Sequence, residues 1–170
     1  ARDQVGGRLG RRLVHVAAGD LRAGPGIGDS ARLAVAPAFA PPPDGKRVQG
    51  AARELVTGDP AQWATDVGPV IDGAAFEDLQ RHLRRLHAQA RPLLPPWQGV
   101  PSSRLLAPQA FEVARIEDVR QEIFGPVLHV VRWDGDPRQV IEAVNRLGYG
   151  LTLGLQTRIE AAVRRGLTAY

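Results

Sequence analysis

Gln121-Glu122-Ile123-Phe124-Gly125-Pro126-Val127-Leu128-His129-Val130-Val131-Arg132-Trp133 runs from a polar, turn-forming start straight into a short apolar stretch. Val127 to Val131 is rich in β-branched residues without strict alternation, which predicts a strand covered on both faces. Gly125-Pro126 punctuates its start, because proline fixes φ and glycine adopts turn conformations that other residues avoid. Glu122 and Phe124 then fall on the lip of a sheet, where ligand-contacting side chains are often carried. His129 lies inside the buried run, and a hydrogen-bonded core histidine is the better reading there than a ligand or a base.

Downstream, Asp136-Pro137 reads as a helix cap followed by a proline at the first helical position. Val140, Ile141, Val144 and Leu147 form the apolar side of that helix, and Gly148 is its stop. Leu151 to Gln156 is the next strand, and a further helix begins at Arg158. Strand, helix and strand together predict a right-handed β-α-β crossover with parallel neighbours, hence an α/β fold. Asp134 and Asp136 around Gly135 shape a turn and offer too few oxygens for a calcium loop.

Upstream, Ala110 to Val113 and Leu105-Leu106 are candidate short strands separated by Pro108, a residue suited to an edge or a bulge. Pro92 to Pro101 reads as an extended surface connection in which Trp97 covers a core edge or an interface. Ser102 and Ser103 sit beside a proline in a turn, with no nucleophile elbow. Asp72 is placed to cap a helix whose Phe76, Leu79, Leu83 and Leu86 recur as one apolar stripe. Arg81, His82, Arg84 and Arg85 are assigned mostly to its solvated faces, and Pro92 ends it near Arg91. Gly58-Asp59-Pro60 is a turn.

Residues 1–50 differ in texture. They carry eight Lys or Arg against four Asp, with nine Gly, nine Ala and five Pro, and Phe39 as their sole aromatic residue. The remaining residues balance their charges, so the pI of 10.5 belongs to the N-terminal third. Such a segment has little with which to nucleate a core, and loose order is expected apart from a short strand at Leu13 to Val16. We therefore expect a poorly ordered basic segment over 1–50 and a folded domain over 51–170. Gly24-Pro25-Gly26-Ile27-Gly28 has the wrong spacing for a dinucleotide fingerprint. The arginines lack interleaved aromatics for base stacking, so nucleic acid is an unlikely partner and a solvated tail the simpler account.

The 170 residues suit one domain or part of a larger one. No window has the apolar length of a membrane span, and a cytoplasmic location without membrane association is the expectation. The chain has no cysteine, which excludes disulfides, zinc–thiolate sites and a thiol nucleophile of its own. His15, His82, His87 and His129 show no metal-ligand spacing, and no metal is expected.

Glu122-Ile123-Phe124-Gly125-Pro126-Val127 resembles the cofactor-contacting motif of the aldehyde dehydrogenase superfamily. Leu128-His129-Val130-Val131-Arg132 and Gly148-Tyr149-Gly150-Leu151-Thr152-Leu153-Gly154-Leu155-Gln156-Thr157-Arg158 are similar to the L-glutamate γ-semialdehyde (1-pyrroline-5-carboxylate) dehydrogenase module of the bifunctional proline-utilisation enzymes. Thr65-Asp66-Val67-Gly68-Pro69-Val70-Ile71-Asp72 is a third match in the expected order, so the likeness spans Glu54 to Glu160. It implies a partial aldehyde dehydrogenase catalytic domain built from parallel β-α-β units and incomplete at both ends.

The resemblance also implies NAD as cofactor, L-glutamate γ-semialdehyde as substrate, a fused or associated proline dehydrogenase domain, and homo-oligomers. Glu122 would accept from the nicotinamide-ribose hydroxyls and Phe124 would pack beside the nicotinamide. The family's cysteine nucleophile and glutamate base have no matching positions, so no catalytic residue is assigned and the chain alone is expected to be inactive. A frame-shifted, a replaced or a diverged N-terminus each accounts for that. The alternative reading is a non-catalytic aldehyde-dehydrogenase-like module that packs against a partner.

Overall fold

The computed structural model describes residues 15–18, 32–37, 45–97, 104–119, 123–133, 136–147 and 153–156. In chain order the elements are β1 (His15–Ala18), β2 (Arg32–Pro37), α1 (Gly45–Glu54), α2 (Gly73–Gln89), β3 (Arg91–Pro92), β4 (Gln109–Val113), a 3-10 turn (Ile116–Asp118), β5 (Val127–Trp133), α3 (Pro137–Arg146) and β6 (Leu153–Gln156). The strands form one mixed sheet in the order β3-β4-β5-β2-β1-β6. β5 is its parallel centre, with β4 on one side (Phe111 opposite His129) and β2 on the other (Leu33 opposite His129). β3, β1 and β6 join antiparallel.

Alternation along β4 and β5 divides the core in two. Phe111, Val113, Val127 and Val131 face one way and meet Leu79, Leu83 and Leu86 of α2 together with Val140, Ala143 and Val144 of α3. Ala110 and Val130 face the other way and meet Leu93 and Leu94, with Val48 and Ala52 of α1 packed against them. Helices on both faces explain why β5 reads as a continuous apolar run. Trp97 packs on the edge of the larger cluster, the first of the two placements expected for it.

The Thr65–Asp72 segment carries the chain onto α2. Asp66 Oδ2 accepts from the Val56 N–H at 2.9 Å, and Thr57 bridges Val67. Gly68 passes against the Pro60 ring, and the Val70 N–H donates to the Arg104 carbonyl at 2.9 Å. Asp72 then caps α2, its Oδ1 accepting from the Ala75 N–H at 2.8 Å. The helix ends at Gln89, two residues before the anticipated stop. Asp136 caps α3 in the same way, accepting from the Arg138 N–H at 2.9 Å.

Three expectations are corrected. β6 is not the neighbour of β5: both edges of β5 are occupied by β4 and β2, so β6 pairs with β1 at the far end of the sheet. Its direction is still that of β5, because two successive antiparallel pairings restore the sense of β2. Leu105-Leu106 forms no strand; Leu106 enters the core from irregular backbone. His82 is buried rather than solvated. Within residues 1–50 the sheet takes β1, which covers part of the expected Leu13–Val16 strand, and β2, while α1 runs across the expected boundary at Ala51. Gly148, the Gly24–Gly28 cluster and the helix expected from Arg158 lie outside the described residues.

Candidate functional site

The turn that feeds β5 is built from opposing demands on adjacent residues. Ile123 is buried at 4% exposure, whereas Phe124 is 51% exposed at the rim of the sheet. Between Phe124 and the strand, Gly125 has φ +157°, and a Cβ placed there would lie 2.7 Å from Leu79 Cδ2. Only glycine combines that backbone with that approach to α2. The Val127 N–H donates to the Gly125 carbonyl and the Gln109 N–H to the Pro126 carbonyl, each at 2.8 Å. The turn is therefore fastened to β4 by hydrogen bonding and to α2 by packing. Glu122, the other assigned cofactor contact, lies outside the described residues.

Beneath this turn lies a polar cluster that sequence reasoning placed only in part. His129 is completely buried, as its place in the apolar run implied, and its Nε2 lies 2.8 Å from His82 Nε2. The rings meet edge to face with centroids 5.0 Å apart. Arg85 NH2 lies 3.0 Å from His82 Nδ1. Burial, then the neighbouring His129 ring and the Arg85 charge, push the His82 imidazolium down from its ordinary 6.5 to about 4. The signal for His82 was its spacing: it stands three residues after Leu79 and four before Leu86, on the flank of the apolar stripe. The surrounding arginines concealed it.

Other sequence candidates find structural duties. His87 packs edge to face on Phe111 with centroids 5.0 Å apart. Asp136 pairs with Arg138 at 2.8 Å as well as capping α3. Glu112 pairs with Arg91 and lies 3.5 Å from Arg132 Nε, on the opposite face of the sheet from His129. Ser102, Ser103 and Asp134 lie outside the described residues, and among those described no group of three or more His, Asp or Glu is arranged to hold a metal. No described helix is long and apolar enough to cross a membrane.

Comparison with known proteins places this geometry. The bifunctional protein PutA of Escherichia coli (strain K12) is 36% identical over 129 residues, covering 69% of this chain and 10% of the relative. A crystal structure of a mutant of Bradyrhizobium japonicum proline utilization A superposes with a TM-score of 0.66 at 40% identity, over 74% of this chain and 13% of that one. An NAD-dependent benzaldehyde dehydrogenase from Corynebacterium glutamicum superposes with a TM-score of 0.54 at 28% identity, over 63% of this chain and 23% of that one. The chain thus spans about a tenth of the length of the curated relative from Escherichia coli. The model of the aldehyde dehydrogenase family matches residues 45–168, nearly three quarters of the sequence, and the chain belongs to that family.

Proposed function

We propose that the chain is a segment of an NAD-dependent L-glutamate γ-semialdehyde dehydrogenase acting in proline catabolism, and that its own contribution is the nicotinamide-facing turn before β5. The observation that carries this reading is Phe124, held half exposed at the sheet rim by a glycine pressed on Leu79. An aromatic ring left half exposed beside a buried neighbour is suited to cover a planar ligand. In this reading Phe124 would lie beside the nicotinamide, and Glu122, which lies outside the described residues, would accept hydrogen bonds from the ribose hydroxyls. NAD, when bound, accepts the hydride that leaves the substrate. The chain's residues hold and orient; with no cysteine present, they supply no thiolate to attack an aldehyde.

The similarity to proteins named PutA and bifunctional supports the choice of substrate and the association with a proline dehydrogenase domain. Purified chain mixed with L-glutamate γ-semialdehyde and NAD is expected to form no NADH above the enzyme-free control. Enzyme-dependent NADH would overturn the assignment of inactivity. Titration with NAD, followed by calorimetry in the native chain and in Phe124→Ala, tests the turn itself; heats that are equal in the two, or absent in both, count against it.

A second reading, a non-catalytic module that packs on a partner, is favoured by the exposure of Leu55, Val56, Trp63 and Ile71 around the Thr57–Val67 bridge. Light scattering that finds only monomer at high concentration would remove self-association as the form that packing takes.

A further inference from the structure

Helix α2 and β5 contribute to one apolar cluster, and beside it His82 faces His129. The hydrogen-bonding roles there are fixed by elimination. A guanidinium can only donate, so the Nδ1 of His82 that faces Arg85 must accept. A neutral imidazole carries one N–H, which places the His82 hydrogen on Nε2. That group donates across 2.8 Å to Nε2 of His129, whose own ring hydrogen is then on Nδ1. The three residues form a directional chain, Arg85 to His82 to His129, that exists only while His82 is neutral.

We infer that Arg85, His82 and His129 form a proton-gated clasp that seats α2 on β5 and, through Leu79 beneath Gly125, holds the Phe124 turn in place. A proton added to His82 must go on Nδ1, converting the acceptor that faces Arg85 into a donor. Two cations then oppose each other at a part-buried contact, and the hydrogen-bond chain is broken between Arg85 and His82. Leu79 lies one helical turn before His82 and touches Gly125, so displacement of this part of α2 reaches the turn directly.

The surroundings of the clasp reinforce neutrality. Within α2, Arg85 is the charged partner, and His87 is turned onto Phe111. β4 presents Phe111 opposite His129, with Gln109 and Val113 on the same face. β2 sets Leu33 opposite His129 in register. α3 contributes Val140, Ala143 and Val144 to the cluster, while its Glu142 is exposed. Glu112 is on the other face of the sheet with Arg91 and Arg132. Burial and, among the described residues, the Arg85 charge facing Nδ1 oppose the protonation of His82.

The test needs no cofactor and is therefore independent of the cofactor reading. In the full chain labelled with nitrogen-15 histidine, long-range proton–nitrogen spectra near neutral pH are expected to show His82 as the Nε2–H tautomer. A hydrogen on Nδ1 of His82, alone or in an imidazolium, would overturn the clasp. The four phenylalanines can be replaced by p-fluorophenylalanine, with the Phe124 fluorine resonance assigned from Phe124→Leu. On acidification this resonance is expected to move with the titration of His82. In His82→Gln, whose amide keeps a donor toward His129 and an acceptor for Arg85 but does not titrate, it is expected to stay in place. The same movement in His82→Gln would sink the proposal, and the tautomer measurement on the native chain decides the matter if that variant does not fold.

Discussion

Gly125 and Phe124 set a scaffold residue beside a proposed ligand contact. A methyl group on Gly125 must displace Leu79 from 2.7 Å, in a backbone conformation that an L residue resists. We expect Gly125→Ala to cost about 2–4 kcal/mol, the sum of overpacking and backbone strain, read as a lower urea midpoint. Phe124→Ala removes a half-exposed ring that no buried cluster includes, and its midpoint is expected to shift by less than about 1 kcal/mol. A large loss in Phe124→Ala would mean that the ring is part of the core and that its exposure serves no ligand.

At the scale of elements, α2 joins the two ends of the candidate site, since its cap begins at the Thr65–Asp72 motif and its stripe lies under the Phe124 turn. Removing the cap in Asp72→Ala leaves the Ala75 N–H without its side-chain acceptor, and we expect a loss of about 1 kcal/mol. Asp72→Asn keeps an acceptor and should recover most of it; equal losses in the two variants would show that the carboxylate charge, not the hydrogen bond, is what matters.

Helices α2 and α3 were legible in the sequence because capping residues and apolar spacing are local properties. The burial of β5 was legible for the same reason. The order of the sheet was not, because adjacency to β5 is decided by β2, which comes from a segment whose composition gives no strong core signal. Phe124 could be singled out from its motif. His82 could not be paired with His129, since residues 47 apart in sequence reveal their contact only once α2 is laid on β5.

For the molecule as a whole, a buried neutral histidine links stability to pH with a definite sign. Unfolded, His82 titrates near its ordinary 6.5; folded, burial, His129 and Arg85 hold it at about 4. Between those values the unfolded chain takes up a proton that the folded chain refuses, so acidification favours unfolding. The contribution is fully present above pH 6.5 and is lost as pH falls toward 4, amounting to at most about 3 kcal/mol. That is a large share of the roughly 5–15 kcal/mol that stabilises a typical domain. Urea unfolding of the native chain between pH 7 and pH 4 should therefore show a steep decline in midpoint. His82→Gln removes this linkage while the carboxylates that also respond to acid remain, so its decline should be shallower by about 3 kcal/mol across the same interval. Parallel declines would mean that His82 carries its proton in the folded chain as readily as in the unfolded one. The Arg85–His82–His129 chain would then not be what joins α2 to the sheet.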